Sequence, residues 1–325
     1  MKAVYVTEFG SPDVLKLQDV PLPEPGPGQA RIKVAATSVN FADIQSRRGG
    51  YIVTRTPPFL PGLEAAGTID ALGSGVRGWE IGQRVAIHAE GGSYAEYALA
   101  RAIEMFALAD DVDIEQAAVV PSVGTTAMAL LTIAGRLQPG ETVLVHAAAG
   151  GVGSTAVQFA RTLGAGLVIG TVGSAEKAKI ALELGADAVI NYRTEDVAAR
   201  VKEITGGAGV DVVLDGVGKD TAETSVAVLA PYGRLVVFGM ASGAPAPIAF
   251  GPLYGDNKTV VGYSTGGHRR SRPDVLRPPG IAAFKLLAAG RWKPLIGARY
   301  SLAQAAIAHR MIEDRESVGK VLLIP

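Results

Sequence analysis

Cysteine is missing altogether from the 325 residues. Disulfides, thiol nucleophiles and thiolate metal sites are thereby excluded together. Net charge is missing too: 31 Lys and Arg balance 31 Asp and Glu, so nothing favours electrostatic capture of nucleic acid or an anionic membrane surface. Long apolar runs are also lacking. The longest apolar region, residues 117–134, is interrupted by Pro121, Ser122, Gly124, Thr125 and Thr126 and makes a poor membrane span. The opening Met1-Lys2-Ala3-Val4-Tyr5-Val6-Thr7-Glu8 alternates as a strand does, and it meets charge before a signal-length apolar core forms. A cytoplasmic protein is expected, with no membrane and no nucleic-acid partner.

Glycine is abundant, at 41 of 325 residues, nearly twice the usual share of about 7%. With 48% hydrophobic and 19% charged residues, the chain is long enough for two domains with substantial cores. The most informative glycines lie in Thr142-Val143-Leu144-Val145-His146-Ala147-Ala148-Ala149-Gly150-Gly151-Val152-Gly153, a buried-strand pattern that runs into a turn and then an apolar helix, 154–163. Gly150, Gly151 and Gly153, with Val152 between them, let backbone N–H groups and the positive end of a helix dipole approach a pyrophosphate. The spacing departs from the strict G-x-G-x-x-G fingerprint, so the context carries the reading. A second strand at 167–172 completes a βαβ unit of the expected length.

An NAD site usually places an acid about 20 residues beyond the glycines, on the ribose hydroxyls. Here the chain reads Thr171-Val172-Gly173-Ser174-Ala175-Glu176-Lys177. Gly173 and Ser174 leave room, and Lys177 follows one helical turn later. A cation with small polar groups suits a 2′-phosphate, which an acid would repel. NADPH is the expected cofactor, although Lys177 also suits a solvated helix paired with Glu176 or Glu183.

Organisation changes near residue 123. Before it, short alternating runs at 30–36, 65–72, 84–87 and 95–99 are separated by glycine and proline clusters, as in a small β-rich domain. After it, strands at 142–147, 167–172, 188–191, 210–215, 234–239 and 259–263 alternate with helices at 154–163, 176–184, 197–205 and 221–228. Such alternation builds a doubly wound parallel sheet covered on both faces, an α/β fold. The tail adds helices around 284–289 and 302–315 and a strand at 320–324.

Further segments make the chain recognisable: Met1-Lys2-Ala3-Val4, Pro61-Gly62-Leu63-Glu64-Ala65-Ala66-Gly67, Val76-Arg77-Gly78-Trp79-Glu80-Ile81-Gly82-Gln83-Arg84-Val85, Gly185-Ala186-Asp187-Ala188-Val189-Ile190-Asn191-Tyr192, and Gly319-Lys320-Val321-Leu322-Leu323-Ile324-Pro325. Over nearly its whole length the chain resembles the medium-chain dehydrogenases/reductases, and within them the zinc-independent, zeta-crystallin-like NADPH:quinone oxidoreductases. The resemblance implies a GroES-like β-rich domain from both chain ends, residues 1–123 and 266–325, around a Rossmann domain at 124–265, with the active site in the cleft between them. It also implies a homodimer, expected on the 259–263 edge strand, which would otherwise be an exposed liability.

Departures from zinc-dependent relatives bear on mechanism. Where those relatives place a cysteine and a histidine ligand, this chain reads Asn40 in Asn40-Phe41-Ala42-Asp43 and Leu63 in Gly62-Leu63-Glu64. None of the four histidines lies in an H-x-x-H or E-x-x-H spacing. Without a Lewis acid to stabilise an alkoxide, alcohol dehydrogenation is disfavoured. Quinones or enones, already activated toward hydride, are the expected acceptors. A 2-alkenal (C=C) reductase is an alternative, as is a non-catalytic NADPH-binding structural or RNA-binding protein.

By position, the resemblance implies Asn40 and Tyr51 as groups that orient or donate to the acceptor, Asn40 and Thr126 beside the nicotinamide, and Tyr192 and Arg315 joining Lys177 at the 2′-phosphate. Val217 and Phe238-Gly239-Met240 are expected against the nicotinamide half, and Gly319 and Lys320 over the cofactor. His146 is expected to be a structural strand-end residue. The run His268-Arg269-Arg270-Ser271-Arg272 is expected to be a solvated loop.

Overall fold

The computed structural model describes residues 1–50 and 55–325, so Tyr51 lies outside the described residues. The chain divides into two compact units, Met1–Thr125 with Pro273–Pro325, and Thr126–Arg272.

The first unit begins with a two-stranded antiparallel ribbon, β1 (Lys2–Val6) and β2 (Leu15–Asp19). Then follow β3 (Gln29–Val39), β4 (Glu64–Leu72), β5 (Arg84–His88), β6 (Tyr97–Arg101) and β7 (Met105–Ala107). Alternation along β3 turns Ala30, Ile32 and Val34 to one side, where Ile69, Val85, Ile87, Ala98 and Met105 complete a core. Each large aliphatic side chain buried this way contributes roughly 1.5–3 kcal/mol.

The second unit holds six parallel strands: β8 (Thr142–Val145), β9 (Leu167–Val172), β10 (Ala188–Asn191), β11 (Val210–Asp215), β12 (Leu229–Val237) and β13 (Thr259–Gly262). Their order, β10-β9-β8-β11-β12-β13, is that of a doubly wound dinucleotide-binding sheet. Strands such as Val143-Leu144-Val145 and Val212-Val213-Leu214 are buried throughout, because helices cover both faces of such a sheet. Hence they read as continuous apolar runs rather than alternating ones.

The tail returns to the first unit with β14 (Ile296–Ser301) and β15 (Lys320–Ile324). Strand β15 pairs antiparallel with β3 and parallel with β14. Both chain ends then share one core: Val4, Val6, Phe59, Leu302, Ala308, Val321 and Leu323.

Residues 265–271 form a helix rather than a loop, capped by Ser264, whose Oγ accepts the Gly267 N–H at 3.1 Å. Gly266 and Gly267 in its first turn mask the helical signal. The helix expected around 284–289 starts earlier, at Arg277. Pro278 and Pro279 fall in its first turn, where a missing N–H costs nothing.

Candidate active site

Beyond β8 the chain turns into the helix Gly151–Thr162. Ala147 adopts a left-handed φ of 52°, uncommon for a residue with a Cβ, and its carbonyl accepts the Gly150 N–H at 2.8 Å. The first helical turn passes so close that a Cβ on Gly153 would lie 2.2 Å from that carbonyl oxygen. Glycine at 153 is what lets helix and turn approach. Among the described residues no acceptor takes the N–H of Gly151, Val152 or Gly153. Three donors at the positive end of a 12-residue helix are thus left for an anion.

Connections from β8 and β11 run to opposite sides, and ligands of such sheets bind outside the carboxyl ends of the strands there. Asp215, ending β11, accepts the N–H groups of Val217 at 2.8 Å and Gly218 at 3.0 Å, and the Ser225 hydroxyl at 2.8 Å. Ser225 has only one hydrogen to give, so its oxygen must accept from His146 Nε2, 3.0 Å away. His146 Nδ1 then accepts from the Thr171 hydroxyl at 2.9 Å. Burial pushes His146 below the ordinary histidine range, against the pull of Asp215. With both ring nitrogens spent, His146 is a strut between strand ends, not a base. The same turn brings Val217 next to the end of β12: a Cβ on Gly216 would lie 2.8 Å from the Phe238 ring, and one on Gly239 would lie 2.5 Å from Gly216 O. Met240 follows, where Ala241 N–H bonds Gly216 O at 3.1 Å.

At the end of β9, the Tyr192 phenol lies over Gly173, whose absent Cβ would stand 2.5 Å from the hydroxyl and 3.4 Å from Arg193 Nε. Ser174 caps the next helix, its Oγ accepting the Lys177 N–H at 3.3 Å. Burial, and then the charge of Arg193, push the Lys177 ammonium below the ordinary lysine range. Gly173, Ser174, Lys177 and Tyr192 therefore gather at one strand end, together with Arg193. Parallel pairing of Asn191 with Val172 brings them there; Arg193 is legible only once that register is known. Thr126, also of this unit, shares a 2.7 Å hydrogen bond with Thr265.

The first unit holds a second polar cluster. Glu64, at 0% exposure, accepts the Ser38 hydroxyl at 2.6 Å, the Asn40 amide at 3.1 Å and the Ser122 N–H at 2.7 Å. Lys320, 5% exposed, donates to Val39 O at 2.9 Å and Asn40 Oδ1 at 2.8 Å, and stands 3.4 Å from Glu64. Burial pushes its ammonium down, while Glu64 and Asp43 hold it up. Gly319 before it has a φ of 60° and would meet Leu295 O at 2.1 Å with a Cβ. Arg315 follows the helix Ala305–Glu313 of this unit, with a left-handed φ of 61°.

Asp43 secures the two segments that carry Asn40 and Glu64. Its carboxylate accepts the Asn40 N–H at 2.9 Å and the Gly62 N–H at 3.0 Å. Burial pushes Asp43 up to about 6, against those two donors. Tyr94 stands between Asp43 and His309, its hydroxyl 3.1 Å from His309 Nε2.

Burial, with the Arg47 charge, drives His309 down to about 3. An unfolded histidine titrates near 6.5, so between those pH values the unfolded chain takes a proton that the folded chain refuses. The stability from neutral His309 is complete above pH 6.5 and is lost as pH falls toward 3, on the order of 5 kcal/mol in all. His309→Gln is expected to flatten the acid limb of stability between pH 7 and 4.5, read by urea unfolding. Equal losses in both proteins would contradict it.

Two family models match stretches of the chain. One described as alcohol dehydrogenase GroES-like domain matches residues 26–110, and one described as zinc-binding dehydrogenase matches 151–277. A quinone oxidoreductase of Pseudomonas aeruginosa is 40% identical, covering 100% of this chain and 99% of its own. A 2-haloacrylate reductase of a Burkholderia species is 36% identical over 99% and 98%. The crystal structure of Escherichia coli quinone oxidoreductase complexed with NADPH superposes with a TM-score of 0.94 at 37% identity, over the full length of both chains. Similarity at this level spans every element described above, and the chain belongs to the quinone oxidoreductase family of the medium-chain dehydrogenases/reductases.

Proposed function

We propose that this chain is an NADPH-dependent reductase of quinones or related activated carbonyl compounds, working without zinc. The observation that carries the cofactor choice is the end of β9, where a phenol, an ammonium and a guanidinium gather around Gly173. The glycine turn fits a pyrophosphate, because Gly153 gives the close approach and three N–H groups are left to donate. When bound, NADPH supplies a hydride from its nicotinamide ring. The protein's share is to hold that ring, through Thr126 and the linked turns at Val217 and Phe238-Gly239-Met240, and to offer a donor to the acceptor oxygen. Asn40 is that donor, with Tyr51 a second candidate on sequence grounds. Arg315 completes the phosphate contacts.

Zinc does not fit the residues at the expected ligand positions. Leu63 offers no ligand, and Asn40 and Glu64 are both bound to the Lys320 ammonium. A second cation there would be repelled by the first.

Lys177→Ala and Arg193→Ala are each expected to weaken NADPH binding tenfold or more, with NADH changed less than twofold, since charge-assisted bonds are worth about 1.5–3 kcal/mol. Equal effects on both cofactors would sink the 2′-phosphate assignment. The haloacrylate reductase relative favours a second reading, reduction of a conjugated C=C bond. Turnover of 1,4-benzoquinone against a 2-alkenal separates the two: the proposal requires the quinone to have the higher kcat/KM.

A cytoplasmic homodimer is part of the same proposal. Strand β13 is one of the sheet's two end strands, and Tyr232, Phe250 and Tyr254 of the same unit are 71–77% exposed. Edge pairing with a second copy would satisfy that strand. Sedimentation at twice the 33.5 kDa chain mass is the expected result; a monomer at micromolar concentration contradicts it.

A further inference from the structure

Three neighbouring strands have ends at one margin of the first unit's sheet: β3 at Val39, β4 at Glu64 and β15 at Lys320. Pairing of Val321 with Val39 and of Thr37 with Ala65 sets Lys320, Asn40 and Glu64 side by side. Asn40 occupies the N-cap position of the helix Phe41–Arg48, in a capping box with Asp43, yet its amide also meets two buried charges. An N-cap side chain normally accepts a backbone N–H of the first turn; Asn40 Oδ1 also accepts from Lys320 Nζ at 2.8 Å and Nδ2 donates to Glu64 Oε1 at 3.1 Å. Asp43 supplies the other half of that capping box, accepting the Asn40 N–H at 2.9 Å.

An ammonium only donates and a carboxylate only accepts. The amide therefore has a single orientation, because a flip would set its NH2 against Lys320 and its oxygen against Glu64. Glu64 takes one of the two amide hydrogens. Among the described residues the other faces only Ser38, whose carbonyl and hydroxyl oxygens both stand at 3.5 Å, beyond a normal N–H···O bond. Two charges have been buried in contact with one neutral amide, an arrangement that a helix cap does not need.

We infer that Glu64 and Lys320 are a positioning pair: they lock the Asn40 carboxamide so that its second N–H meets the acceptor oxygen, and the ammonium behind the amide oxygen supplies positive charge as that oxygen becomes anionic. The hydrogen bonds polarise one another along the row Lys320, Asn40, acceptor, and a preset dipole needs no reorganisation during the reaction. This rests on Asn40 as the donor.

The test is steady-state reduction of 1,4-benzoquinone by NADPH with wild type, K320M, K320R, N40A and the K320M/N40A double variant, alongside NADPH binding by fluorescence titration. Lys320→Met should lower kcat ~10- to 100-fold with NADPH affinity within twofold, K320R should recover part of the loss, and the double variant should be no slower than N40A. Losses that multiply in the double variant overturn the pair's action through Asn40. A K320M protein with wild-type kcat but weakened NADPH binding assigns the ammonium to the cofactor instead. Full activity in N40A removes Asn40 as donor, an outcome distinct from a slow N40A beside an unaffected K320M. Should K320M fail to fold, E64Q/K320M removes both charges together and enters the same cycle with N40A.

Discussion

Gly153→Val is expected to raise the Kd for NADPH by at least ~100-fold, the largest effect on binding of any single change in the second unit. The Cβ alone would lie 2.2 Å from Ala147 O and 2.8 Å from Ala147 C, both backbone atoms. Neither can swing aside as a side-chain tip can, so the helix must lift off the turn or the turn must open. Either movement displaces the N–H groups of Gly151, Val152 and residue 153 from a common anion. Loss of one or two charge-assisted hydrogen bonds, at about 1.5–3 kcal/mol each, accounts for the magnitude. Because NADPH and NADH share the pyrophosphate, both should weaken together, unlike the effect of Lys177→Ala. Isothermal titration with both cofactors measures it, with thermal unfolding as the control for fold. Unchanged affinity would mean that the pyrophosphate is held elsewhere.

Glu313→Ala is expected to cost about 3–5 kcal/mol of stability in the first unit. Arg47 is completely buried in the helix Phe41–Arg48, and its guanidinium is paired with Glu313 of the helix Ala305–Glu313. Arg48 meets the same carboxylate at 2.6 Å from a half-exposed position. Removing Glu313 leaves a desolvated cation beside His309, which burial and that charge already hold unprotonated. Arg48 loses little, since an exposed pair is worth at most about 1 kcal/mol. Replacing both partners, as in Arg47→Met with Glu313→Leu, should return most of the loss, because a buried pair is often matched by apolar side chains of similar volume. Urea unfolding of the three proteins tests this. A Glu313→Ala protein within 1 kcal/mol of wild type would show that water reaches Arg47.

The parallel sheet was legible in the sequence because both of its faces are buried, so β8, β9 and β11 appear as apolar runs and the turn at 147–153 announces itself through glycine. Strand β14 was not. As an end strand with Gly297 inside it and alternate residues exposed, its sequence Ile-Gly-Ala-Arg-Tyr-Ser has little apolar signal. At the candidate site, Gly173 and Lys177 could be picked out because they follow one strand closely. Arg193 needed the register of β10 on β9. The role of Lys320 was hidden further: the resemblance sets it over the cofactor, and only the strand pairing reveals its ammonium beside Val39, Asn40 and Glu64. Residues from opposite ends of the chain meet there only because β15 lies between β14 and β3.

Central to the account is NADPH-driven reduction that needs no metal, with an amide and a buried ammonium where a zinc ligand set would stand. Protein dialysed against a strong chelator and verified as metal-free should oxidise NADPH with 1,4-benzoquinone at the undialysed rate, gain nothing from added zinc, and be far slower with NADH. Activity lost on chelation and restored by zinc, or no oxidation with any quinone or 2-alkenal while NADPH still binds, would contradict it.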